Sequence, residues 1–275
     1  MNTTGLYNQF QHKEIIPYPG TVEGKQMKWI VDSPKKKVVV MTGAGISAES
    51  GIQTFRGANG LWENHRIEEV ASPIAFRRDP VLVWNFYLQR RKQALSCQPN
   101  AGHLAVSELE GWLTAGGGDF LLVTQNVDGL HTRAGSVNVV EMHGSLMHTR
   151  CTACGEVFRD ESTDMELPPH HNCPQNGLLR PHIVWFGESL FPGDMEKIES
   201  AIETCDIFIV IGTSGTVYPA AGLVNYANSL GKRTVCVNKD TPANVSLFDT
   251  FIQGEAGTEL PGRLFPEKKA EGNAP

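Results

Sequence analysis

The chain lacks any apolar run approaching the roughly 20 residues that a bilayer-spanning helix needs, so composition alone argues against an integral membrane protein. The first 25 residues scatter Asn2, Gln9, His12, Lys13 and Glu14 among few apolar groups and lack the continuous apolar core of a secretion signal. Cysteine is scarce: six in 275 residues do not make the framework of a disulfide-stabilised secreted domain. Excess positive charge is also missing, since the formal net charge of −6 is the opposite of a nucleic-acid footprint. No internal repeat and no long low-complexity tract interrupts the chain. These absences point to a cytoplasmic globular protein, with neither membrane nor nucleic acid as partner. At 40% hydrophobic residues, it is long enough for one large domain carrying an inserted lobe.

What is present is concentrated first in residues 38–57, VVVMTGAGISAESGIQTFRG. Val38, Val39 and Val40 read as a strand buried on both faces, and the strand ends in Gly43, Ala44 and Gly45. These residues have too little side chain to keep a pyrophosphate from the backbone N–H groups. Ser47 and Ala48 then read as the start of a helix whose positive end faces the ligand. The spacing is G-A-G-I-S rather than the G-x-G-x-x-G of the dehydrogenase turn. A bare strand-to-helix connection is the competing reading of this segment alone.

Three later segments repeat the arrangement of apolar strand followed by polar loop: TQNVDGLH from Thr124, EMHGS from Glu141 and GTSGTVYPA from Gly212. A further run, Thr234 to Val237, ends in Asn238, Lys239 and Asp240. Five loops are thus expected at the carboxyl edge of a parallel sheet, where ligands of open α/β folds sit. In EMHGS, His143 follows a strand at that rim, where an imidazole with a pKa near ~6.5 can accept a proton at neutral pH. Of the other histidines, His103 sits on a predicted helix and His65 and His148 lack a polar constellation; these read as ordinary packing or surface residues.

Cys97, Cys205 and Cys236 fall in or beside core elements and read as reduced packing residues. Cys151 and Cys154 differ, because C-T-A-C-G after a strand is a knuckle suited to a tetrahedral metal. Only Cys173 follows, in HHNCPQNGLLRPH. His170 or His171 could complete a Cys3His set, Asn176 could stand in the place of a lost ligand, or the module could be metal-free. The set carried forward is Cys151, Cys154, Cys173 and His171, with the fourth ligand open.

GAGISAESGIQTFRG, TQNVDGLH, EMHGS, RPHIVWFGE and GTSGTVYPA, in this order from about Val38 to Leu260, resemble the sirtuin family of NAD-dependent protein-lysine deacylases. The fold this implies is an α/β, Rossmann-like doubly wound parallel sheet with a smaller inserted helical and zinc-knuckle domain. The expected organisation is an N-terminal extension at 1–37 and a catalytic domain at 38–265, followed by a flexible tail at 266–275. Within the catalytic domain a helical lobe spans about 55–97 and a metal knuckle about 144–180. The sheet is expected to resume with His182 to Phe186, and helices are expected near Asp194 to Glu203 and Pro219 to Leu230.

The resemblance also implies roles. NAD would lie against Gly43, Ala44, Gly45, Ser47, Ala48, Gly212, Thr213, Ser214 and Asn238. Phe55 would shield the ribose and Arg56 would steady phosphates or the cofactor loop. Gln125, Asn126 and Asp128 would hold the nicotinamide carboxamide and ribose hydroxyls, and His143 would be the general base. The acyl oxygen would attack the ribose carbon and expel nicotinamide, and water would finally release free lysine and O-acyl-ADP-ribose. Any zinc would be structural. Val184, Phe186 and Gly187 would offer backbone to an acylated peptide by β-augmentation.

Tyr87 and Arg90, three residues apart on a helix that Pro80 could initiate, share a face. They resemble the Y-x-x-R pair of the desuccinylase and demalonylase class, and Ala71 matches that class's small residue beside the acyl chain. The competing reading is a solvated basic helix face that includes Arg91 and Lys92. Protein ADP-ribosylation, which uses the same activated ribose, is the alternative activity. A silent NAD-binding module would have no need of His143.

Overall fold

The computed structural model describes residues 29–53 and 65–266, together with short strand segments at 21–22, 25–26 and 61–62. Phe55 and Arg56, the tail beyond residue 266 and most of the N-terminal extension lie outside the described residues.

Six parallel strands form the main sheet: β1 (Lys37–Thr42), β2 (Asp119–Thr124), β3 (Val139–Glu141), then β7 (Ile207–Ile211), β8 (Arg233–Asn238) and β9 (Thr250–Gln253). Their spatial order is β9-β8-β7-β1-β2-β3, so the chain winds outward from β1 in one direction and from β7 in the other. The order reverses between β1 and β7, where Val38 lies opposite Ile207 and Thr42 opposite Ile211. That is the switch point at which doubly wound sheets open a crevice.

The valine and isoleucine runs follow from burial on both sides. Val38 and Val40 join one core layer with Val106, Leu109 and Leu113 of helix α4 (Ala101–Ala115). Val39 and Met41 join the opposite layer with Ile198 and Ile202 of α5 (Asp194–Thr204) and with Leu223 and Val224 of α6 (Leu223–Ser229). Each such aliphatic side chain contributes about 1.5–3 kcal/mol relative to exposure. Ile30 and Val31, assigned from sequence to the N-terminal extension, are part of the first layer, and their N–H groups donate to Arg263 O and Leu264 O.

A second body sits over the carboxyl edge. It contains α2 (Pro73–Arg78), α3 (Pro80–Ser96) and a three-stranded antiparallel sheet of β4 (Gly144–Cys151), β5 (Val157–Arg159) and β6 (Leu179–Ile183), in the order β6-β4-β5. Helix α3 begins where Pro80 predicts: Asp79 caps it, accepting from Leu82 N at 2.9 Å, and proline occupies the first turn. The helix is fastened to the small sheet by Trp84, whose indole N–H donates to Leu179 O at 2.8 Å, and by Arg91. The two insertions therefore share one apolar core, with Val70, Phe76, Trp84, Leu146 and Ile183 in contact.

Two expectations are corrected. The segment His182 to Phe186 does not rejoin the main sheet: β6 pairs antiparallel with β4, Leu179 opposite Cys151, and the strand ends at Ile183. An apolar strand carries no mark of its partner, and here the partner is the knuckle hairpin. The helix after β1 begins at Ala44, with Gly43 as its N-cap, and ends at Ala48. Ser47 and Ala48 thus lie in its last turn. Among the described residues no helix is long and apolar enough to cross a membrane.

Candidate active site and metal cluster

Between the two bodies lies a cleft of about 1250 Å³, whose walls include loops following β1, β2, β7 and β8 and the segment following β6. Gly43, Ala44, Gly45, Ser47, Gln125, Asn126, Asp128 and His143 line it, as do Gly212, Thr213, Ser214 and Asn238. So do Ala71, Tyr87, Arg90, Val184, Phe186 and Gly187. Ala48 does not: it is exposed at the carboxyl end of the five-residue helix, the residue after Ser47.

The glycines act first through close packing. A Cβ on Gly43 would stand 2.9 Å from Gly212 O, and one on Gly45 would stand 2.7 Å from Gly212 Cα. Gly43 N–H donates to Ile211 O at 3.0 Å and Gly45 N–H to Gly212 O at 2.8 Å. These two donors, expected from sequence to face a pyrophosphate, instead stitch the β1 loop to the β7 loop. Gly212 itself has φ 64°, which favours glycine. On the far side Asn238 Nδ2 donates to Thr213 O at 3.0 Å, tying the β8 loop to the same wall.

Ser47 is the hub of the floor. Its hydroxyl donates to Asp128 Oδ2 at 2.8 Å and accepts from Asn126 Nδ2 at 3.0 Å, while the same Asn126 amide donates to Gly43 O at 3.1 Å. Asp128 also accepts from Leu130 N at 2.9 Å. Burial raises the Asp128 carboxyl above its ordinary value, opposed by these two hydrogen bonds and by the charges of Arg90 and Arg133.

Two histidines lie under this floor: His103, expected to be an ordinary packing residue, and His131, for which the sequence suggested no role. His103 Nδ1 accepts from Asn100 N in the capping box of α4, so its Nε2–H faces Ser47 Oγ at 3.4 Å. His131 Nε2 lies 2.9 Å from Thr42 Oγ1, and the rings of His103 and His131 are 4.8 Å apart. Desolvation pushes His103 down to about 4 and His131 to about 3, so both are neutral. The position of His131 within TQNVDGLH was the available signal; His103 offered none beyond its helix.

His143 stands at the rim as predicted. Its Nδ1 is 3.1 Å from Gln125 O, an acceptor only, so Nδ1 carries the proton and Nε2 keeps its lone pair. Burial lowers its pKa from the ordinary histidine value.

The basic stretch of α3 is not a solvated face. Arg90 is 8% exposed and Arg91 2%, and they point to different tasks. Arg90 lines the cleft beside Tyr87 and Ala71. Arg91 binds the small sheet, donating to Leu146 O at 2.7 Å, Asp160 Oδ2 at 3.0 Å, Ser162 O at 2.8 Å and Thr149 Oγ1 at 3.2 Å.

The peptide-facing segment is less open than a free strand edge. Val184 N–H donates to His143 O, Phe186 N–H to Ala71 O and Trp185 N–H to the Glu188 carboxylate, each at 2.9–3.1 Å. Phe186 is half exposed, and Gly187, at φ 85°, faces open space.

The ligand atoms of Cys151, Cys154, His171 and Cys173 all lie within 4.8 Å of one another. Cys151 Sγ is 3.8 Å from Cys173 Sγ, and Cys154 Sγ is 3.4 Å from His171 Nδ1. A tetrahedron with Zn–S near 2.3 Å has S–S edges of about 3.8 Å, so the donor set fits zinc. His171 Nε2 faces Glu156 at 3.6 Å, the outer partner a metal-bound imidazole needs. His170 is drawn off by Asn176 O, and Asn176 occupies the tight turn that returns the chain, with φ 45°. His171 is therefore the fourth member. None of these four residues lines the cleft.

Residues 43–219 match the Sir2 family. An NAD-dependent protein deacylase of Vibrio vulnificus is 49% identical over 230 residues, covering 83% of this chain and 92% of that protein. The mitochondrial NAD-dependent protein deacylase sirtuin-5 of Canis lupus familiaris is 41% identical, covering 85% of this chain and 82% of its own. Among solved structures, a Sir2 homologue in complex with NAD superposes with a TM-score of 0.74 at 43% identity, covering 82% of this chain and 88% of that one. A Sir2–p53 peptide–NAD+ complex superposes with a TM-score of 0.70 at 29% identity, covering 82% and 90%.

Proposed function

The chain belongs to the Sir2 family, and from that premise we propose that it is an NAD-dependent protein-lysine deacylase whose acyl pocket favours chains ending in a carboxylate. The observation carrying the acyl preference is that Arg90 and Tyr87, both buried, line the same cleft as the apolar side chains of Ala71, Ile183 and Trp185. A guanidinium fork there offers two parallel N–H donors to a carboxylate, which an acetyl group cannot use. The likeness to sirtuin-5, an NAD-dependent protein deacylase, supports the deacylase reading.

When bound, NAD supplies the electrophilic ribose carbon that becomes available as nicotinamide leaves. Asn126 and Asp128, fixed through Ser47, orient the ribose hydroxyls and carboxamide with Gln125. His143 receives a ribose hydroxyl proton at Nε2, with Gln125 O holding the ring in the required tautomer. The Gly43–Ser47 turn walls the diphosphate, and Gly212, Thr213, Ser214 and Asn238 form the adenosine side. Val184, Phe186 and Gly187 hold the substrate backbone; with three N–H groups of this segment already engaged, much of the pairing falls to carbonyls. The Cys3His cluster would hold a structural zinc that joins the end of β4 to the loop before β6.

The test is an NAD-dependent assay over acetyl, malonyl, succinyl and glutaryl forms of one lysine peptide, read by mass spectrometry. Expected products are nicotinamide, the unmodified peptide and O-acyl-ADP-ribose, with the acidic acyls processed faster. The relatives' deacylase activity favours this over ADP-ribosyl transfer. Covalent ADP-ribose on protein with no peptide deacylation would overturn the proposal.

A further inference from the structure

The indole of Trp185 is one of the largest fully buried side chains, and it is restrained on every side. Its backbone N–H donates to Glu188 Oε2 at 2.9 Å, and the same carboxylate is held by the Arg180 guanidinium at 2.6 and 2.9 Å. The Arg180 guanidinium carbon lies 3.4 Å from the centre of the indole, and the Phe76 ring packs 5.2 Å away. A ring so held presents its Nε1–H in one direction, to Tyr87 Oη at 2.9 Å.

An indole nitrogen can only donate, so Tyr87 Oη must accept, and its own proton is directed away from Trp185. We propose that Trp185 is a positioning residue for acyl selectivity: it fills one lone pair of the Tyr87 hydroxyl and turns the phenol proton from the indole toward the cleft, where an acyl chain ending in a carboxylate can accept it. Without that N–H the phenol could donate or accept indifferently. With it, the proton is turned toward a terminus that accepts, and a carboxylate, which accepts at both oxygens and carries charge, gains most. Burial separately pushes the Tyr87 phenol far above its ordinary value, so the donor proton is retained across the enzyme's working range. This inference rests on the Tyr87–Arg90 clamp proposed above and adds the residue that sets its polarity.

The experiment is a double-mutant cycle read as the ratio of kcat/KM for succinyl over acetyl peptide, which cancels any general loss of folded enzyme. Trp185→Phe removes the N–H but keeps a ring. Replacing the Trp185 indole by benzothiophene keeps the shape and exchanges N–H for sulfur, which separates loss of the hydrogen bond from loss of packing. Each change should lower the ratio about fivefold or more, through KM for the succinyl peptide. In the Tyr87→Phe background the same changes should shift it less than about twofold. If Tyr87→Phe lowers the ratio and neither Trp185 replacement does, Trp185 does not set the donor and the clamp still stands. If the unaltered enzyme does not prefer succinyl to acetyl, the clamp fails and this inference with it.

Discussion

Replacing Arg90 by methionine removes the charged fork from the acyl pocket while filling nearly the same volume with a flexible apolar chain. Each charge-assisted hydrogen bond contributes about 1.5–3 kcal/mol. A bidentate pair formed in a wall where Arg90 is 8% exposed, discounted for desolvating the acyl carboxylate, leaves about 2–4 kcal/mol. That corresponds to a loss on the order of 30- to 1000-fold in kcat/KM for succinyl and malonyl peptides. The acetyl reaction will not be wholly spared, because Arg90 is one of two arginines whose charge opposes the burial-driven rise of the Asp128 pKa. Without Arg90 that carboxyl rises further, so acetyl turnover weakens most toward acidic pH. The readout is therefore the succinyl-to-acetyl ratio, measured with NAD saturating at one fixed, mildly alkaline pH, the side on which the Asp128 carboxylate is favoured. A fall of tenfold or more is expected. Equal losses on both peptides would refute the clamp and leave Arg90 a structural cation.

Arg91→Met, one position away, should behave oppositely. Losing four hydrogen bonds and the guanidinium beside Asp160 costs about 3 kcal/mol or more of stability by denaturant unfolding, with the acyl ratio moving less than about twofold. His143→Ala should abolish turnover while the protein stays folded. In the unaltered enzyme, activity should fall as pH drops through the His143 pKa: burial places it below the ordinary histidine value, so the imidazole is neutral above that point and loses its lone pair below it. A rate that does not fall on acidification before the protein unfolds would contradict the base assignment. His171→Ala should release zinc at lower chelator concentrations than the unaltered protein, by colorimetric metal release, and lower Tm by several degrees. Unchanged zinc retention would remove His171 from the ligand set.

Much of the site was readable in advance because the main sheet is buried on both faces. That demands continuous apolar runs, and each run is followed by the loop that carries chemistry. Residues 38–40, 120–123, 207–211 and 234–237 therefore announced both strand and rim. The start of the helix at Ala44 was not readable, since five residues show no helical period. Nor was the pairing of β6 with β4, because an apolar strand does not name its partner.

Residue types, their order and their spacing determined that a phosphate-wide turn, a rim imidazole and a cysteine knuckle exist in this chain. Only the tertiary structure decided which neighbour of an identical pair takes which task. Arg90 turns into the cleft and Arg91 into the small sheet, and His171 rather than His170 joins the cysteines. The glycines of the turn yield their N–H groups to the β7 loop. Those assignments depend on direction in space, and adjacent residues of one kind differ in nothing else.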